Sequence, residues 1–109
     1  MSGWTLTVRD GPKVERERFE TLDDAIGALR ERTHVIANAG RLGSAQGFKE
    51  YEPGEQVRAR LQVSTGGWLR GQEAGIDVMG DGRLVPFVGA IRRRELDGDP
   101  FDAVAAALS

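Results

Sequence analysis

The chain contains no cysteine, so disulfides, thiolate nucleophiles and cysteine-ligated zinc are all excluded. It has a single histidine, His34, which rules out any multi-histidine metal centre, and no metal site or cofactor is expected. No motif sets a serine or other nucleophile beside His34, so no residue is assigned a catalytic role. Lysine is scarce too: Lys13 and Lys49 are the only two, and arginine supplies the rest of the fifteen basic residues. No apolar run approaches the roughly 20 residues that a membrane-spanning helix requires. The start of the chain, MSGWTLTVRDG, has neither the basic nor the apolar region of a secretory leader, so a soluble cytoplasmic protein is expected.

Aromatics are few, at two Trp, one Tyr and four Phe, so aliphatic side chains must fill most of the core. The net charge of −2 gives no bulk attraction to nucleic acid or to anionic lipid. A chain of 109 residues with 39% hydrophobic and 29% charged residues has the composition of one globular domain, spanning residues 1–109.

What is present is mostly hairpin. Trp4, Leu6 and Val8 alternate with Thr5, Thr7 and Arg9, which is the period of a strand with one buried face. Asp10-Gly11-Pro12-Lys13 is a turn, and the charged stretch Val14 to Glu20 suits an edge strand. Thr21 with Asp24 three residues later forms a capping-box helix start. Leu22, Ala25, Ile26, Leu29 and Ile36 then share a helical face, with His34 on the polar side, and the helix is expected to end near Ala39, with Gly40 as its stop. Gly40 to Gly47 reads as a loop, Phe48 to Tyr51 as a short strand, and Pro53-Gly54 as a turn.

Val57, Ala59, Leu61 and Val63 alternate with Arg58, Arg60, Gln62 and Ser64, which predicts a strand with one packed and one wet face. Residues 74–95 form two apolar arms about Gly80-Asp81-Gly82, the composition of a hairpin turn. The second arm, Leu84 to Ile91, is apolar at nearly every position, and Pro86 within it argues for an edge or a bulge. Asp99-Pro100-Phe101-Asp102 opens a second helix that offers Phe101, Val104 and Leu108 to a core. The sum is a single small α+β domain. Its antiparallel sheet has about five strands in the order β-β-α-β-β-β-α, with two helices packed on one face.

Two groups of residues carry the functional expectations. Trp68, Leu69 and Arg70, in a glycine-rich stretch, are the partner-binding candidates, because Trp and Arg anchor interfaces. Asp77, Asp81 and Arg83, with Arg58 and Arg60, are the ligand-binding candidates, since arginine forks suit carboxylates and phosphates. The leading expectation is a non-catalytic binding or assembly module that self-associates as a homodimer. The alternatives are a small enzyme or ligand-binding protein for an anionic small molecule, and a nucleic-acid accessory protein using an arginine stripe in which Arg92 and Arg94, of the triplet Arg92-Arg93-Arg94, extend Arg58 and Arg60. That triplet also has the ordinary reading of a solvated strand end.

Overall fold

The computed structural model describes residues 3–43, 56–65, 72–89 and 93–109. Six strands and two helices follow one another along the chain: β1 (Trp4–Asp10), β2 (Lys13–Phe19), α1 (Leu22–Gly43), β3 (Val57–Thr65), β4 (Gln72–Met79), β5 (Leu84–Val88), β6 (Arg94–Glu95) and α2 (Pro100–Leu108). The strands form one antiparallel sheet in the order β2-β1-β3-β4-β5-β6. The α+β class and the hairpin order agree with the reading of the sequence. The sheet gains a sixth strand, the two-residue β6.

The β1–β2 and β4–β5 turns are each set by one glycine. Gly11, with φ 64, takes the first central position between the paired residues Asp10 and Lys13, where a two-residue hairpin of type II′ needs positive φ. In the β4–β5 turn, Gly82 N–H donates to Met79 O at 2.9 Å and Met79 N–H donates to Arg83 O at 2.8 Å. Gly82, with φ 90, is the left-handed residue that lets a three-residue loop close this way.

α1 begins as its sequence dictates, with Thr21 Oγ1 accepting the Asp24 N–H at 3.1 Å. Its end differs from expectation: the helix runs through Gly40 to Gly43. A glycine costs a helix interior only about 1 kcal/mol, so it weakens a helix without stopping it. Ala25, Leu29, Thr33 and Ile36 of α1 are buried against the sheet with Phe101, Val104 and Leu108 of α2. Opposite them lie Leu6, Val8, Ala59, Leu61, Val63, Ala74, Ile76 and Val78, every second residue of the three central strands. The expected Phe48–Tyr51 strand and the Pro53-Gly54 turn lie outside the described residues.

The apolar second arm of the hairpin divides between the two faces. Leu84 and Val88 pack on the helix side, and Pro86, opposite Ile76, shares that face. Phe87 points to the other face, opposite Gly75, and is only 2% exposed. A Cβ on Gly75 would stand 2.1 Å from Leu61 O, so this position has room for hydrogen alone. Pro86 explains the short β6. Leu96 N–H donates to Pro86 O at 2.8 Å, but the reciprocal bond needs an N–H that proline lacks, and the ladder ends there.

Candidate functional site

The face of the sheet turned away from the helices is built from charged and polar pairs. Arg60 and Asp77 are directly opposite in the β3–β4 register, and they form a two-pronged ion pair. Arg60 Nε donates to Asp77 Oδ1 at 2.6 Å, and its second prong reaches Oδ2 at 3.0 Å. The Asp77 hydrogen bond raises the Arg60 pKa above its ordinary value, opposed by partial burial and aided by the Asp77 and Glu73 charges. Next along, Gln62 Nε2 donates to the Glu73 carboxylate. The Arg60 and Arg93 guanidinium carbons lie 5.6 and 4.9 Å from the centre of the Phe87 ring, which they flank as cation–π partners. Arg60 is therefore held from two directions, by a carboxylate and by an aromatic ring.

Arg58 does not follow its neighbours. Val57 pairs with Met79 while Ala59 pairs with Val78, so β3 spends two residues where β4 spends one, and Arg58 is the extra residue of a bulge. Simple alternation put Arg58 on the wet face beside Arg60. The bulge instead frees it to reach α1, where its Nη1 donates to Ile36 O at 3.4 Å.

At this end of the sheet, beside the Gly11 turn, a hollow of about 300 Å³ is lined by Arg9, Gly11, Val57, Arg58, Ala59 and Arg60. Arg9 was not singled out by the sequence reading. The signal that would have found it is register: Arg9 lies directly opposite Arg60 across the β1–β3 pair. Like charges placed opposite each other on neighbouring strands destabilise a sheet. Asp77 compensates Arg60, whereas Arg9 has no hydrogen-bond or ion-pair partner among the described residues.

The other candidates separate. Asp81 Oδ1 accepts the Arg83 N–H at 2.9 Å, so this aspartate braces its own turn. Both residues stand at the same end of the sheet as the hollow without lining it. Arg93 reaches the Phe87 ring, while Arg94 pairs with Val88 at the far side of the sheet, with two strands between it and β3. The stripe of Arg58, Arg60, Arg92 and Arg94 that a nucleic-acid reading would use is thus not assembled by Arg58, Arg60 and Arg94, and Arg92 lies outside the described residues. Trp68, Leu69 and Arg70 lie outside them as well. His34 is exposed on α1 and meets the Phe101 ring edge-on at 5.5 Å.

Among the described residues, no group of three or more histidines or carboxylates is arranged to hold a metal ion. No described helix is long and apolar enough to cross a membrane. No family model, curated protein or solved structure matches the chain.

Proposed function

We propose that the protein is a non-catalytic binding module whose ligand is a small anion bearing a carboxylate or phosphate group. The observation that carries this reading is that Arg9, Arg58 and Arg60 border one hollow, where Asp77 is the carboxylate ion-paired to Arg60. Two opposed arginines cost the empty protein stability, and an anion between them would turn that cost into attraction. Arginine suits the role because its fork stays charged and pre-organised. Among the described residues lining the hollow there is no histidine, carboxylate or nucleophile, which favours binding over chemistry.

The test is a titration with inorganic phosphate and then pyrophosphate, followed by backbone NMR and by thermal unfolding. Shifts should concentrate on residues 9–11 and 57–60, and binding should weaken steeply with added sodium chloride. Arg9→Gln should weaken phosphate binding by roughly tenfold, the worth of one charge-assisted hydrogen bond. The same change should leave the ligand-free protein as stable as before or more so, because it removes the opposed charge. Shifts spread elsewhere on the molecule, or none at all, would reject the reading.

Self-association is a second reading with separate support. Strand β2 is an edge strand whose residues are exposed from Lys13 to Arg18, and no described strand pairs with its outer side.

A further inference from the structure

No described strand pairs with the outer edge of β2, and that edge carries a definite charge pattern. The hairpin closes at the Asp10–Lys13 pair, so Lys13, Glu15 and Glu17 turn their backbone groups inward to β1. Val14, Arg16 and Arg18 turn theirs outward. Side chains alternate as well: Glu15 and Glu17 are paired with Val8 and Leu6 on the helix side, while Arg16 and Arg18 are paired with Thr7 and Thr5 on the other.

Two copies related by a two-fold axis can join such edges only if the axis is perpendicular to the sheet, so that each face continues into the same face of its partner. Few registers are then open. Pairing Arg16 with Arg16 sets glutamate against glutamate on both sides of the axis. Moving one step toward Phe19 sets Glu17 against Glu17 and Arg16 against Arg18 twice. One step toward the turn, the pattern becomes favourable. Lys13 of each copy meets Glu17 of the other, and the exposed Val14 lies beside the aliphatic stem of Arg16. Glu15 meets Glu15 at the axis, and each of these carboxylates is already ion-paired with Arg32 of its own α1.

We propose that two copies of this chain associate through β2, antiparallel, with Glu15 at the two-fold axis and Lys13 paired to Glu17. This rests on the self-association reading and is independent of the anion site. Five residues from each copy pair, and the outward N–H and C=O groups of Val14 and Arg16 bond across the axis.

Sedimentation velocity from micromolar to millimolar concentration tests both levels. The native chain should form dimers. Lys13→Glu should weaken the dimer by roughly tenfold or more, since two attractive pairs become repulsive, and Lys13→Glu with Glu17→Lys should restore it to within about threefold. Arg16→Pro removes an outward N–H without touching the ladder to β1, and it should abolish the dimer. A native chain that stays monomeric would end both the proposal and the self-association reading. A dimer indifferent to Arg16→Pro and Lys13→Glu would keep self-association and overturn the edge. A loss on Lys13→Glu that the exchange fails to rescue would overturn the register. Should the proline variant not fold, the two charge variants decide alone, because both alter exposed side chains only.

Discussion

The two faces of this sheet hold together by different physics. On the helix side, Leu6, Val8, Leu61, Val63, Ile76 and Val78 are all essentially inaccessible to solvent. Their contribution is non-directional and scales with apolar area removed from water, so almost any well-fitting aliphatic set would serve. On the other side, Phe87 and Gln62 are nearly as buried, but their neighbours are Arg60, Asp77, Glu73 and Arg93. That face depends on particular partners in a particular register. Packing tolerates substitution, whereas pairing does not, and burial alone therefore does not distinguish a core from a specified layer.

The largest expected effect lies on the apolar face. Leu61→Ala removes a fully buried side chain from the centre of the cluster and should cost about 2–5 kcal/mol in denaturant unfolding, the range for leucine truncation in a core. High salt should not change that loss. An effect within the noise would show that the helix side is less tightly packed than its burial implies.

A smaller effect is expected on the paired face. Asp77→Ala leaves the half-buried Arg60 without its fork partner and facing Arg9, so stability should fall by about 1–3 kcal/mol. Asp77→Ala combined with Arg60→Leu should recover part of this, because the stranded charge goes with its partner. Equal losses for the single and double variants would mean that the pair contributes only packing.

The smallest effect belongs to the solvent. Glu15 lies beside Arg32, whose hydrogen bond, and then its charge, hold the carboxyl below its ordinary value of about 4.5. A lowered folded-state pKa stabilises the protein above the unfolded value and loses that contribution as pH falls through the lowered one. Native chain and Glu15→Gln should therefore differ slightly near pH 6 and converge in acid, with salt erasing the difference as well. A difference that grows on acidification would contradict the assignment.

Local chemistry was legible in the sequence. The Thr21 cap, the Pro100 helix start, the glycine turn after Met79, and the alternation of β1 and β3 each need only a few neighbouring residues. Long-range facts were not. The Arg60–Asp77 fork and the opposition of Arg9 to Arg60 depend on register across strands far apart in the chain. The Arg58 bulge leaves no mark in a stretch whose alternation looks unbroken. Of the ligand candidates, Arg58 and Arg60 border one hollow and Asp77 restrains Arg60, while Asp81 and Arg83 belong to a turn. The apolar second arm, puzzling in one dimension, serves both faces: Leu84 and Val88 pack on the helix side, while Phe87 is buried on the other between Arg60 and Arg93.

Pro86 has a consequence beyond the length of β6. A sheet with two long open edges can recruit copies at both sides and grow without limit, which is the geometry of fibres. Here the ladder on the β5 side stops at a residue with no hydrogen to give, leaving a two-residue strand as the outermost rung. Among the described strands, β2 is left as the one extended open border. In the proposed β2-edge dimer a third copy would find no comparable border among the described strands, and one imino acid would limit the size of that assembly.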